Sequence, residues 1–331
     1  MKSFDQLYRD VQEAAVEDKL NQLLENPEKM KDYDKRQLDC LLHPEKLPPV
    51  LQLAQCLCEG EGRCKDACIF NAIEKDERGN LHISDRDCVG CAACIEACEA
   101  GNLTDRKDLV PIFETLYRSN APVYAMIAPA FVGQFSQKVT PGKLRSAFKK
   151  LGFEGMVEVA LFADILTLKE ALEFDRSIQT EEDYVLTSCC CPMWIGMIRK
   201  VYSELVPHIP PSVSPMVACG RTIKKLHPEA KTVFIGPCLA KKAEAREADV
   251  KDSTDFVLTF QEMQEIFRIA GIDLEQMEDD DREHSSRAGR IYARSGGVSE
   301  AVKSSVQRLN PGREIPLTAQ SADGVPACKE M

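Results

Sequence analysis

The placement of cysteine constrains this chain more than any other feature. Of 15 cysteines in 331 residues, eight fall between Cys56 and Cys98, and Cys189, Cys190 and Cys191 are consecutive. The first twenty residues carry Lys2, Asp5, Arg9, Asp10, Glu13, Glu17, Asp18 and Lys19, which leaves no apolar core for an export signal. The uncharged stretch 120–137 contains Pro122, Pro129, Gly133 and Ser136 and makes a poor membrane span. The expectation is a cytoplasmic protein with no membrane partner. Thiols stay reduced in that compartment, so clustered cysteines point to metal ligation or redox chemistry. With 42 basic against 53 acidic side chains and a net charge of −11, the chain lacks the cationic surplus that binding nucleic acid or an anionic membrane requires.

Organisation follows the cysteines. Residues 1–50 are expected to form a helical packing segment: Phe4, Leu7, Val11, Ala14 and Ala15 recur at helical spacing, and Leu20, Leu23 and Leu24 continue the stripe. Asn26-Pro27 breaks it, and Pro44, Pro48 and Pro49 mark a linker. Residues 51–105 form a cysteine-rich block. From 106 to 331, short apolar runs alternate with helical stretches. Strands are expected at Val123–Ile127, Met156–Leu161, Tyr184–Leu186 and Val233–Ile235. Helices are expected near 167–174, 194–205 and through Lys241 and Glu244. That alternation predicts an α/β architecture (α+β for the whole chain), with ligands gathering beyond the carboxyl ends of the strands. The acidic run Glu278 to Asp281 reads as a solvated loop.

Cys88, Cys91, Cys94 and Cys98 follow C-x2-C-x2-C-x3-C, a spacing that closes three thiolates around a 4Fe-4S cube. Zinc is the competing occupant, but it prefers separated C-x2-C pairs around a tetrahedral ion. The partner run, Cys56, Cys58, Cys64 and Cys68, keeps the C-x3-C end and replaces the beginning with C-x-C-x5-C. The block resembles bacterial two-cluster ferredoxins, in which the last cysteine of each run crosses to the other cluster. That resemblance implies one cube on Cys56, Cys58, Cys64 and Cys98, and another on Cys68, Cys88, Cys91 and Cys94. Such a block moves single electrons.

The triple cysteine is open to three readings. Free cysteines are often buried as small apolar groups. A strand end before a helix offers backbone N–H groups and a dipole that favour thiolates. A disulfide oxidoreductase is disfavoured because adjacent cysteines do not make the spaced C-x-x-C pair. The sequence context favours the second. Thr187-Ser188-Cys189-Cys190-Cys191-Pro192-Met193-Trp194 resembles the first signature of FeFe (iron-only) hydrogenases, usually T-S-C-C-P-x-W. Pro237-Cys238-Leu239-Ala240-Lys241-Lys242 with Glu244 resembles the second, P-C-x-x-K-K with a following Glu. Ala128-Pro129 matches a loop lining the active-site cluster, and Ser295-Gly296-Gly297-Val298 with Glu300 resembles the T-G-G-V-x-E stretch. The similarity runs from about residue 51 to the last residue.

The resemblance implies a two-cluster ferredoxin-like domain followed by a hydrogenase-like α/β domain. It also implies an H-cluster, a 4Fe-4S cube bridged to a two-iron unit with CO, cyanide and dithiolate ligands. Cys191 and Cys238 would ligate that cube, and Cys190 would pass protons to the two-iron unit. Lys241 would face a cyanide, where an ammonium gives a charge-assisted hydrogen bond. Glu170 and Glu173, on one helix face, match the family's carboxylate relay. Cys189 is an extra thiol in the signature and would sit beside the two-iron unit as a possible cap on its vacant iron. The implied reaction is reversible reduction of protons to dihydrogen in an anaerobic setting. Ferredoxin or flavodoxin would be the electron partner, and maturation proteins would build the cluster. The alternative on the same scaffold is a non-catalytic iron–sulfur relay, sensor or assembly protein.

Several positions depart from the pattern. Gly236 stands where many members have Met, Ala130 replaces a cyanide-bonding Ser, and Pro210 occupies the position of a proton-path serine, leaving Ser212 or a water to substitute. A third signature near M-A-C-x-x-G-C, source of the last two cube ligands, is absent, and Cys328 alone cannot replace both. Cys40 and Cys219 read as incidental. The expectation is therefore a chain truncated at its C-terminal end.

Overall fold

The computed structural model describes residues 2–56, 58, 62–78, 80–178, 180, 183–187, 190–280, 282, 285–309, 318–322 and 324–330. Four short strands lie in the first third: β1 (Val50–Gln52), β2 (Ile73–Lys75), β3 (Leu81–Ile83) and β4 (Leu103–Asp105). β1 pairs antiparallel with β4, Val50 opposite Asp105, and β2 pairs with β3, Ile73 opposite Ile83. The two ladders bracket the cysteine runs at both ends.

The main sheet is built from β5 (Val123–Ile127), β6 (Gly155–Glu158), β7 (Lys231–Gly236) and β8 (Phe256–Thr259). All its pairings are parallel, in the order β6-β5-β7-β8. Parallel strands covered on both faces read as continuous apolar runs rather than alternations. Accordingly Ala125, Met126, Ile127, Val233 and Ile235 are fully buried. The Pro141–Lys150 helix links β5 to β6, with Thr140 as its N-cap accepting from the Lys143 amide and proline at its first position. From β5 the chain steps sideways to β6, then returns to the opposite side of β5 as β7. The reversal leaves a crevice beyond the carboxyl ends of β5 and β7, where α/β sheets bind ligands.

Three expected elements differ. The strand expected over Met156–Leu161 stops at Glu158: Val159 makes the last bond to the sheet, its N–H to Ile127 O at 2.9 Å. A helix then runs over Ala160–Ser177 and absorbs the shorter one expected at 167–174. Tyr184–Leu186 is not a strand. The Leu186 amide donates to His208 O at 2.9 Å and the Tyr184 ring stacks on His208 at 3.9 Å, so its bonding goes to the neighbouring 3-10 turn Ser203–His208. The helix expected over 194–205 spans Pro192–Lys200 and yields to that turn. The N-terminal stripe is two helices, Phe4–Val16 and Leu20–Leu24, parted at Asp18 with φ of +55°. They share one core with Leu109, Phe113, Ile266 and Phe267.

Lys242 ties these layers together. Its side chain is fully buried, and its ammonium donates to Asp105 Oδ2 at 2.9 Å, Glu262 Oε1 at 3.1 Å and Arg106 O at 2.5 Å. Arg106 returns a bond to Lys242 O at 3.1 Å and pairs with Asp108 at 2.7 Å. Burial disfavours the ammonium, yet Glu262, Asp105 and Asp108 outweigh it and raise the pKa above the usual lysine value. One side chain thus joins the end of the cysteine-rich segment, the Ala240–Glu244 helix and the Phe260–Ile269 helix. Removing one partner of a buried ion pair strands the others. Lys242→Met is therefore expected to lower stability by about 3–5 kcal/mol, read as a drop in the urea midpoint.

Candidate functional site

The eight cysteines of the first third fall into two groups. Burial raises the Cys56 and Cys64 pKa values, and neighbouring thiols add to it: Cys58 and Cys64 for Cys56, Cys98 and Cys58 for Cys64. Burial likewise pushes the Cys88 thiol up to about 11 and Cys94 to about 12. The thiols adding to that second shift are Cys91 and Cys68 for Cys88, and Cys88, Cys91 and Cys68 for Cys94. The groups are Cys56, Cys58, Cys64 and Cys98 on one side, and Cys68, Cys88, Cys91 and Cys94 on the other. Short helices, Arg63–Asp66 and Ala93–Glu96, carry Cys64 and Cys94. Left-handed residues at Gly90 (φ +68°) and Ala92 (φ +67°) curl the second run back on itself.

The second group lines a small cavity together with Val50, Phe70, Ala72, Ile73, Ile83 and Val89. An all-sulfur donor set in an apolar wall suits soft metal centres, iron–sulfur clusters among them. Trp194, whose indole N–H can only donate, packs against the same apolar cluster as Cys68, Cys88 and Cys91, and its Nε1 is buried without a hydrogen-bond partner among the described residues. A sulfur acceptor there would satisfy it. Among the described residues no three His, Cys, Asp or Glu side chains close around a point fit for a single ion.

The second constellation sits at the crevice between β5 and β7. The Ala128 amide donates to Ile235 O at 2.8 Å, which holds the Ala128-Pro129 turn against the end of β7. Gly236 follows, and a Cβ there would lie 2.5 Å from a Phe234 ring carbon and 3.3 Å from Ala128 Cβ. The space a side chain would need is already filled, which accounts for glycine at this departure from the signature. Cys238 leads into the Ala240–Glu244 helix, and Cys191 N-caps the Pro192–Lys200 helix.

Cys238, Cys191, Cys190 and Lys241 interact. Burial raises the Cys238 pKa, Cys191 adds to it and Lys241 opposes it. Burial opposes the Lys241 ammonium, but Glu244, Cys190 and Cys238 raise its pKa. Its Nζ donates to Glu244 Oε2 at 2.5 Å and lies 5.8 Å from the Phe234 ring centroid. Cys190 packs on the apolar cluster of Ala163, Ala171, Tyr292, Val298 and Val302. Cys189 lies outside the described residues.

The cysteine-lined cavity abuts this constellation. A Cβ on Gly90 would come within 3.1 Å of Leu239 O and 3.2 Å of Ala240 Cα, and one on Gly196 within 2.8 Å of Val89 Cγ1. The loop bearing Cys88 and Cys91 therefore touches the Pro192–Lys200 helix, which Cys191 N-caps, and the start of the Ala240–Glu244 helix, which Cys238 precedes.

Glu170 and Glu173 share the Ala160–Ser177 helix and line a pocket open to solvent, with Tyr184, Thr187, His208 and Pro210. Glu170 is buried. Glu173 Oε1 lies 3.4 Å from Lys169 Nζ, which also donates to Ser212 Oγ at 3.1 Å. Ser212 is thus linked to the carboxylate pair through Lys169, a connection invisible in the sequence because its partners are 43 residues apart. Cys219 is buried in the main core and Cys40 half-buried on the Lys35–Leu42 helix, both raised in pKa by burial. Cys328, on the Gly324–Glu330 helix, packs against the same apolar cluster of Phe70, Ala72, Val89 and Met197 as Cys68, Cys88 and Cys91.

A family model described as "Iron only hydrogenase large subunit, C-terminal domain" matches residues 121–330. The chain belongs to this family. It is 29% identical to Iron hydrogenase 1 of Clostridium pasteurianum over 58% of this chain and 36% of that protein. It is 25% identical to Cytosolic iron-sulfur assembly component 3 of Pongo abelii over 59% of this chain and 48% of that one. The solved apo FeFe-hydrogenase of Chlamydomonas reinhardtii is 26% identical, covering 62% of this chain and 58% of its own, with a TM-score of 0.48. The chain spans less than half the length of either of these curated relatives. Family membership bears out the resemblance read from the two signatures, and the parallel sheet bears out the α/β class.

Gly90 tests how the two constellations are joined. Its left-handed backbone and the carbonyl against it leave no place for a side chain. Gly90→Ala is expected to cost about 1–3 kcal/mol of stability, measured by chemical denaturation.

Proposed function

We propose that this chain is part of an FeFe hydrogenase, carrying electrons and protons to a site that reversibly reduces protons to dihydrogen. The observation behind this reading is the meeting of Cys190, Cys191, Cys238 and Lys241 at the β5–β7 crevice, directly against the loop of Cys88 and Cys91. Residues 51–105 serve as a ferredoxin-like domain with two 4Fe-4S clusters, residues 1–50 as its helical brace and residues 106–331 as the H-cluster domain. Cys56, Cys58, Cys64 and Cys98 hold the outer cube. Cys68, Cys88, Cys91 and Cys94 hold the inner one.

At the crevice, Cys191 and Cys238 would supply two ligands of the H-cluster cube. When bound, the H-cluster supplies an open iron at which dihydrogen is formed or split. The protein's own part is position, polarity and proton supply. Ala128 and Pro129 wall the crevice. Lys241, kept charged by Glu244, offers an N–H donor to an anionic ligand. Protons enter through the pocket at Glu173, pass to the Glu170 carboxylate and reach the Cys190 thiol, which donates to the reacting centre. The setting is an anaerobic cytoplasm. A one-electron carrier, ferredoxin or flavodoxin, delivers the electrons, and maturation proteins install the two-iron unit.

The similarity to the cytosolic iron–sulfur assembly component covers as much of this chain as the similarity to the clostridial hydrogenase, and it supports a second reading, a non-catalytic assembly or relay role. Lys241, Glu170, Glu173 and Cys190 favour the enzyme, because a relay needs neither a proton path nor an anion donor.

The natural protein, purified without oxygen and matured, is expected to evolve dihydrogen from reduced methyl viologen. Cys190→Ala should lower that rate by at least about a hundredfold at unchanged iron content, as loss of a general acid does. A fully iron-loaded natural protein that evolves none sinks the enzyme reading. Separately, Cys94→Ser is expected to lose the iron of one cube while Cys219→Ser keeps its full complement, by iron assay after anaerobic reconstitution.

A further inference from the structure

The two cysteine groups are furnished differently. In the first, the Gln52 side-chain amide donates to Cys56 Sγ at 3.3 Å while its oxygen accepts the Leu81 amide at 2.8 Å. The Lys75 ammonium lies 3.0 Å from Cys58 O and 3.7 Å from Cys58 Sγ. Cys58 is also exposed. In the second group, the donors to sulfur come from the backbone: the Ala72 amide to Cys68 Sγ at 3.4 Å, Gly90 to Cys88 and Ala93 to Cys91. Its walls are apolar.

Reduction adds one electron, and so one negative charge, to a cube and its thiolates. Hydrogen bonds to sulfur, nearby positive charge and solvent each stabilise that extra charge and raise the potential, while apolar burial lowers it. An ammonium a few ångströms from a ligand sulfur is the strongest such influence among the contacts of either group.

We infer that Lys75 is a positioning residue for electron entry: its ammonium, seconded by the Gln52 amide, makes the outer cube the first to be reduced, and the inner cube accepts its electron at a lower potential. This rests on the two-cube reading above and not on hydrogenase activity. The reaction is one electron from a low-potential one-electron donor to the outer cube, which takes up no proton. Lys75 serves this role from the short β2 strand, whose pairing with β3 fixes its direction. Gln52 does so from β1, on the opposite side of the same run.

The test is a redox titration of the anaerobic, iron-loaded protein with dithionite and viologen mediators, followed by electron paramagnetic resonance. Two reduction steps are expected from the two cubes of residues 51–105 in the parent. Lys75→Met should make the first step at least about tenfold less favourable, a shift of about 59 mV to more negative potential, and leave the second in place. Lys75→Arg, which keeps the charge, should restore most of the difference. Gln52→Leu should shift the same step in the same direction. The inference is overturned if Lys75→Met moves neither step, or moves only the second. Loss of hydrogen evolution with both steps intact refutes the hydrogenase reading and leaves this one standing. Iron sufficient for a single cube refutes the two-cube reading and this inference together.

Discussion

The arrangement of the crevice depends on one buried ammonium. Lys242 and Lys241 are neighbours on a helix of five residues, so their side chains leave it about 100° apart. Lys242 is committed inward, to Asp105 and Glu262. That commitment fixes the rotation of the helix and leaves Lys241 turned toward Cys190 and Cys238. The Lys-Lys pair of the signature therefore divides its work: the second lysine sets the orientation and the first presents its charge. Because Asp105 ends the cysteine-rich segment, the same contact also fixes the distance between that segment and the crevice.

Charge placement inside an acidic protein follows the same logic. A net charge of −11 leaves carboxylates in excess, and several are spent holding cations in places water does not reach. Glu158, fully buried at the end of β6, takes Arg145 at 3.1 Å and Arg290 at 2.8 Å, and accepts from Ser285 Oγ at 2.7 Å. Burial opposes its charge, and Arg290, Ser285 and Arg145 overcome that and hold its pKa below the usual carboxylate value. This cluster secures the chain leading to the Gly297–Leu309 helix, against which Cys190 packs. The two walls of the crevice are thus pinned by two separate buried ion clusters.

Much of this was legible in the sequence. Cysteine spacing marks the two runs of the first third, and apolar runs mark β5 and β7 because strands covered on both faces need no alternation. Tyr184–Leu186 was misleading. Three apolar residues look like a strand, but their partner is a turn about twenty residues on, and a stacked ring rather than a ladder fills the bonding. Glu158 to Ala160 misled for another reason: the apolar run crosses a strand end into a helix without a break in composition. Lys75, Gln52 and Lys169 carry no motif at all. Their meaning comes from which thiol, carbonyl or carboxylate the fold sets beside them, and spacing along one chain does not encode that.

The two kinds of cargo in the proposed reaction need opposite surroundings, and the fold separates them. The side of the crevice facing the cysteine-rich segment is apolar, with Phe70, Val89 and Met197 between the Cys88–Cys91 loop and the Pro192–Lys200 helix. Such a wall excludes water. The other side, along the Ala160–Ser177 helix, opens on a pocket where Glu170, Glu173 and His208 can exchange protons with solvent. Cys190 packs on Ala163, Ala171, Tyr292, Val298 and Val302, and Cys191, one residue later, is the N-cap of the Pro192–Lys200 helix. Two adjacent cysteines thus attach to the elements that line the two sides: Ala163 and Ala171 belong to the Ala160–Ser177 helix, and the Pro192–Lys200 helix carries Met197.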